Sequence, residues 1–269
     1  VFCAQCPYFH GDVGISVGRD VREKMVLDLV AQVAGKNVKP FAALDDGLLV
    51  RRFMDEFKFR KLLTTQSLYL APASAFEDEF EGHYSSRDHA VWDSQLAGWG
   101  FGPEGRHRAS QAKAAMARHN QGAVVISCWT TAPADEPRMW DEYGKSTQSV
   151  MVETTVGRLR RSLGTGYLIV PVRYFDFERE AIPKEHALQP FCYKRKHFDW
   201  EREVRVIGAM KMGKKIGTAK RAPVSMKTLL TKIGIHSEAP QEFIDSVHQL
   251  VQRKLPGTNC ELIRKRSCF

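Results

Sequence analysis

Apolar and polar residues alternate along "GLLVRRFM" (47–54), "SLYLAP" (67–72), "QSVMVET" (148–154) and "YLIVPVRYF" (167–175), the two-residue period of β-strands. "GAVVISCWT" (122–130) is a nearly continuous apolar run and predicts a buried strand. A last strand falls at "CELIRKRS" (260–267), with one more short strand inside 222–236. The 3.6-residue period predicts helices at "VREKMVLDLVAQVAG" (21–35), "DEFKFRKLLTTQ" (55–66), "SQAKAAMARHN" (110–120), "VGRLRRSL" (156–163) and "EAPQEFIDSVHQLVQRKLPG" (238–257). "DEPRMWDEYG" (135–144) reads as a short helix with Pro137 tolerated in its first turn. Residues 184–198 are helical in part and broken at Pro190, 93–110 form a Gly-rich polar excursion, and 74–84 an acidic, aromatic stretch. No repeat and no Pro/Ser linker divides this pattern. The expected architecture is α+β: an extension over residues 1–46 with one helix, then a single domain over 47–269. Its strands should form a mixed, largely antiparallel core with helices outside.

The segment "FDWEREVRVIGA" (198–209) breaks the pattern of a simple buried strand. Phe198, Trp200, Val204, Val206 and Ile207 suit a core, but Glu201, Glu203 and Arg205 fall on alternate positions and project from one face of a strand over 198–208. Two carboxylates on one face repel, and one guanidinium offsets this only in part. The row therefore reads as the floor of an active site with Glu203 at its centre. The competing reading is a solvated face with cross-strand ion pairs.

Charge changes the picture further. Of 269 residues, 40 are Lys or Arg and 31 Asp or Glu, a net charge of +9, which suits a polyanionic partner such as RNA or DNA. Lys194, Arg195 and Lys196, with Lys211, Lys214 and Lys215 of the loop 211–221, are expected to form one positive patch, and 264–266 carry another basic run. No apolar run approaches the ~20 residues that span a bilayer, and the start carries no signal-peptide pattern. A soluble, cytoplasmic protein is the expectation, although the chain opens on Val1 as a trimmed chain or fragment does. Of six cysteines only Cys3 and Cys6 have metal-like spacing, with His10 nearby. Without a second ligand pair they read as free thiols, and Cys128 as a small core residue. Dinucleotide-fold, P-loop, zincin and nucleophile-elbow signatures are all missing.

The order of four blocks carries a resemblance: "LLVRRFMDEFKFRKLLTTQSLYLAPASAFEDEFEG", "VISCWTTAPADEPRMWDEYGKSTQSVMVET", "YKRKHFDWEREVRVI" and "LLTKIGI". Across residues 47–267 the chain resembles the bacterial family called domain of unknown function 2971. "FEDEFE" stands where that family usually has Asn-Asp-Pro, and Val50-Arg51-Arg52 where an aromatic–basic–aromatic run is usual. The layout also resembles the ADP-ribosyltransferase fold, which has Arg or His on a first strand, a hydroxyl on a middle strand and Glu on a late one. That second resemblance implies NAD as substrate, with Arg51 at its phosphate or ribose region and Ser127 as the middle-strand hydroxyl. Tyr69, Trp140 or Tyr143 would stack on nicotinamide, and Arg205 would lie beside the cofactor. Glu203 would stabilise the oxocarbenium-like ribose, and Glu201 would orient or deprotonate the acceptor. A bacterial toxin or defence effector acting on nucleic acid fits such an activity.

Plainer readings compete at each position. Trp140 suits core packing, and Tyr143 divides between core and pocket. Arg51 and Arg52 point to opposite faces, so at most one serves an inward site. Asp78, Glu79 and Glu81 with His83 and His89 read as an exposed acidic turn or as the centre of a metal-dependent nuclease. The Lys/Arg runs alone would make a non-enzymatic nucleic-acid-binding module.

Overall fold

The computed structural model describes residues 41, 43–210, 215–257 and 261–264. The expected helix at 21–35, the Cys3/Cys6/His10 group, Lys211, Lys214 and most of the last basic run lie outside these residues.

Strand β1 (Leu49–Asp55) runs into helix α1 (Glu56–Thr65), whose first turn is capped by Asp55 accepting from the Lys58 amide. Then come β2 (Ser67–Pro72), α2 (Ser86–Gly98), α3 (Pro103–Ala123) and β3 (Val124–Thr130). A single turn, α4 (Pro137–Met139), passes directly into a π-helical turn at Trp140–Gly144. β4 (Ser149–Thr155), α5 (Val156–Leu163), β5 (Leu168–Pro171), β6 (Arg173–Phe175) and β7 (Tyr193–Arg195) follow. A 3-10 helix at Lys196–Glu201 leads into β8 (Glu203–Ala209). The chain ends with β9 (Lys220–Pro223), α6 (Met226–Leu229), β10 (Lys232–Ile235), α7 (Gln241–Lys254) and β11 (Glu261–Arg264).

The main sheet has the order β11-β10-β4-β1-β3-β2-β9, with β8 on the far edge of β3 and β5 beyond it. Every pairing in it is antiparallel except β10–β11, so the expected mixed, largely antiparallel α+β core holds. β8 follows β3 along its whole length, so β1 and β2 must share the other edge: Arg51 faces Thr130, while Ala71 and Pro72 face Ile126 and Val125. The two strands thus diverge around Ser127–Trp129, and Arg52 fills the slot, donating to Ser127 Oγ (2.9 Å) and the Tyr69 carbonyl (3.5 Å).

Alternation gives each face its own layer. Val50, Met54, Leu68, Leu70, Val125, Trp129, Val152, Val204 and Ile233 pack against α1, α5, α6 and α7 in one large core. On the opposite face two smaller clusters stand apart, one around Ile126, Val170, Ile207 and Phe191, the other around Phe53, Met151, Met139 and Trp140. The polar residues described below lie between them.

Three expected elements differ. The strand foreseen over 167–175 is two strands, with β6 leaving the main sheet to pair in parallel with β7. The strand over 198–208 begins only at Glu203, because Arg202 takes the left-handed conformation (φ 43°, ψ 50°) and ends the 3-10 helix before it. Most of the excursion over 93–110 belongs to α2 and α3. α2 was hidden by its thin apolar face, with only Asp88 and Leu96 buried, although Ser85 and Asp88 form a capping box.

Candidate active site

Register across the sheet lines up a row of polar side chains. Glu153 on β4 faces Arg51 on β1, Arg51 faces Thr130 on β3, and Thr130 faces Glu203 on β8. Directly opposed residues project from the same face, so these four share one side, at strand spacings of about 5 Å. Ser127 faces the other way. It lies with Val125 and Trp129 against the large core, bonded to Arg52, so the middle-strand hydroxyl beside Glu203 is Thr130 and not Ser127.

Arg205 is the hub. It is 0% exposed, and each of its five N–H donors is used: Nε on Glu203 Oε1 (2.8 Å), Nη1 on Glu81 Oε1 (2.6 Å) and the Phe191 carbonyl (2.7 Å), Nη2 on Glu81 Oε2 (2.7 Å) and Glu203 Oε2 (3.2 Å). None is left for a cofactor, so Arg205 braces Glu203 instead of contacting a nucleotide. The acidic stretch expected to be an exposed turn is tied down in the same way. Glu81 is buried on Arg205, and Asp78 takes a bond from Arg195 Nη2 (2.8 Å). With Asp78 and Glu81 committed to arginines, Glu79 exposed, and no group of three His, Cys, Asp or Glu able to hold a metal ion among the described residues, the nuclease reading finds no support in the geometry.

Glu201 reaches the site by a different route from the one its spacing implied. It ends the 3-10 helix, and the left-handed Arg202 returns the chain to β8, so Glu201 and Glu203 are not alternate positions of one strand. They meet because Lys194 lies between them, its Nζ 2.5 Å from Glu201 Oε2 and 3.6 Å from Glu203 Oε2. Thr130 Oγ1 donates to the Glu201 carbonyl (2.5 Å), and the Thr131 amide donates to the Arg202 carbonyl (3.0 Å), which holds this unusual turn in place. Lys194 is therefore buried inside the site and adds no charge to the surface patch. Arg195 is partly buried on Asp78, and only Lys196 and Lys215 of the patch's described members are exposed.

Burial raises the carboxyls, and local charge then separates them. At Glu203 the opposing pull of Arg205 and Lys194 wins and holds it down at about 2. At Glu201 burial, with the charge of Glu203, outweighs Lys194 and leaves it above the ordinary value. Burial likewise leaves Glu81 raised despite Arg205. The Cys128 thiol, against Glu203, is pushed well up by burial and by that carboxylate.

The aromatic candidates separate as well. Trp140 is core: its Nε1 donates to the Ala134 carbonyl (2.9 Å) and its ring meets Phe53 edge-on. Tyr143 donates to Glu201 Oε1 (2.9 Å) and remains 36% exposed, while Tyr69 lies exposed on β2 beneath Arg221. Arg51 is bound through Nε (2.7 Å) and Nη2 (2.7 Å) to Glu153 and through Nη1 (2.9 Å) to the Ala132 carbonyl. Sequence reasoning missed Glu81, Thr130 and Lys194 as members of this site. Glu81 was placed in a separate acidic cluster and Lys194 in a surface patch, while the signal for Thr130 was only that it closes the β3 run.

No protein-family model matches the sequence, and no curated protein matches it. Among solved structures the chain is similar to Thermus sp. 2.9 DarT in complex with ADP-ribosylated single-stranded DNA, at 9% identity and TM-score 0.41, covering 84% of this chain and 98% of that one. The same protein in complex with NAD+ matches at 7% identity and TM-score 0.41, and with carba-NAD+ at 8% and 0.39, each covering 83% of this chain and 98% of the other. At that distance the likeness is one of loose architecture, and no residue's role is transferred through it.

Proposed function

We propose that the chain is an NAD-consuming ADP-ribosyl transferase, or a glycohydrolase where water is the acceptor, with its chemistry on the row Arg51–Thr130–Glu203. The observation that carries this reading is the row itself: a guanidinium, a hydroxyl and a low-pKa carboxylate in register on three adjacent strands, with a second carboxylate, Glu201, alongside. Cleavage of the nicotinamide–ribose bond builds positive charge on the ribose, and a fixed carboxylate in a dry site stabilises such charge far better than water does. Glu203 fills that role, accepting from the ribose 2′-hydroxyl, with Arg205 and Glu81 fixing its position. Among the described residues two N–H donors of Arg51 have no bond, and Arg51 offers them to a phosphate or ribose oxygen. Of the three candidate rings for the nicotinamide, Tyr69 and Tyr143 are exposed, and Tyr143, bonded to Glu201, is the one tied to the row. Glu203 is only 5% exposed, so turnover requires the margin of the network to open, and Tyr143 marks that margin.

For the acceptor we infer a nucleic acid, on the net charge of +9 and on the exposed cations Arg138, Lys196 and Arg202 flanking the glutamates in sequence and structure. The deciding measurement is nicotinamide release from NAD by the purified chain in EDTA, with and without DNA or RNA at low salt. Glu203→Gln, which keeps an acceptor for Arg205, should retain the circular dichroism spectrum and lose turnover by about two orders of magnitude or more. Undiminished release by that variant would remove Glu203, and the row with it, from the chemistry.

A further inference from the structure

We propose that Lys194 and Tyr143 are positioning residues that grip the two oxygens of Glu201 separately, so that Glu201 takes the acceptor's proton while Glu203 stays ionised; this rests on the transferase reading above.

Lys194 is delivered by β7, which pairs with β6 outside the main sheet, with Tyr174 opposite Lys194 in the ladder. Its neighbour Arg195 turns to Asp78, so alternation sends Lys194 alone toward the glutamates, beside the Phe198 ring (4.3 Å). Tyr143 arrives from the π-helical turn. That turn is tight: a Cβ at Gly144 would meet Ser149 Oγ at 2.7 Å, and Lys145 closes it at φ 63°. The Tyr143 ring lies near-parallel to Trp200 (6.3 Å, 30°), and Trp200 in turn carries the Arg138 guanidinium at 3.8 Å. Glu201 Oε1 thus accepts from a phenol and Oε2 from an ammonium.

Charge arithmetic gives the two glutamates different work. Three carboxylates, Glu81, Glu201 and Glu203, share two cations, Lys194 and Arg205, so the cluster carries one negative charge in excess. Like charges this close do not all stay ionised cheaply. Arg205 bonds Glu81 and Glu203 but not Glu201, which has only its half of Lys194. Facing Glu201 are Lys194, Tyr143, Glu203 and, more weakly, Tyr174. Of the two glutamates that share Lys194, Glu201 therefore takes a proton before Glu203, and environments that push two carboxyls apart assign base and electrostatic roles between them. In the step itself the bond from the acceptor oxygen or nitrogen to ribose C1′ forms. The C1′–nicotinamide bond breaks with its electron pair staying on the ring nitrogen, and the acceptor's proton passes to the Glu201 carboxylate. It leaves to solvent past Tyr143.

The test combines 13C-detected titration of Glu201 and Glu203 with the pH profile of nicotinamide release. Lys194→Met should raise both carboxyls by about one pH unit and move the acid limb of kcat upward by a similar amount. The KM for NAD should change little, and Lys194→Arg should restore part of the loss. Tyr143→Phe, which removes one partly exposed hydroxyl and leaves the core intact, should raise Glu201 alone and lower kcat at mildly acidic pH by about tenfold. Should Lys194→Met fail to fold, Tyr143→Phe carries the test by itself. An unmoved Glu201 titration in folded variants overturns the proposal. Shifted titrations in a chain whose wild type releases no nicotinamide keep the positioning and discard the transferase reading.

Discussion

One face of the main sheet packs four helices against a continuous apolar layer, and the other carries a row of charge between two smaller apolar clusters. On the apolar face each side chain contributes by burial, which is non-directional, so loss of one residue is felt locally and in proportion to the atoms removed. Two polar departures on this face are Thr154, which donates to the Leu229 carbonyl, and the Arg52–Ser127 pair, which fills the slot where β1 and β2 separate; burial there lowers the Arg52 pKa. On the charged face the members hold one another. Arg205 is tolerable at zero exposure only because Glu81, Glu203 and the Phe191 carbonyl take all its donors. Removing one member leaves buried donors or charge of the others incompletely paired. Stability on the apolar face is thus a sum of local contributions, whereas on the charged face it depends on all the members being present together.

Arg205→Leu tests the contrast between the two faces most severely. With Glu81 and Glu203 left facing each other, unfolding in urea should show a loss on the order of 3–5 kcal/mol, and adding Glu81→Gln and Glu203→Gln should return part of it. A loss that the two added substitutions do not touch would mean that Arg205 matters by volume and not by charge. Next in size is Leu63→Ala on the apolar face, expected to cost about 3 kcal/mol while leaving nicotinamide release per folded molecule unchanged. Activity falling in step with stability would show that the two faces are coupled.

The smallest effect sharpens the contrast through pH. Glu203 is held below its ordinary value, so its stabilisation is complete above about pH 4.5 and is lost as pH falls toward about 2. Glu201 and Glu81 are raised, so they act in the opposite sense: their contribution is present at low pH and is lost as pH rises through their elevated values. Acidification should therefore lower the urea midpoint by no more than about 2 kcal/mol in free energy, less than Glu203 alone would give. Glu203→Gln should flatten that limb. An acid limb as steep in the variant as in the wild type would assign it to other carboxylates, Asp55 among them.

Elements whose signal is local were legible from the residues alone. α1, α5, β2, β3 and β4 fall within one or two residues of their expected bounds, because side-chain period, the Asp55 cap and the Thr155 cap act over a few residues. The residues alone also place Ser127 and Thr130 on opposite faces, since strand alternation requires it. Which of those faces holds Glu203 was a matter of the β3–β8 register, set by residues more than seventy positions apart. The same is true of the network. Glu81 and Arg205 are 124 positions apart, and Glu153 and Arg51 are 102 apart. Whether a Lys, Glu or Arg in the chain is a solvated surface charge or a buried partner depends on what tertiary packing brings within about 3 Å, and nothing in local pattern encodes that distance. Lys194 shows the consequence most clearly. As one of three consecutive basic residues it belongs to a surface patch. Folded, it is the ammonium that two buried glutamates share.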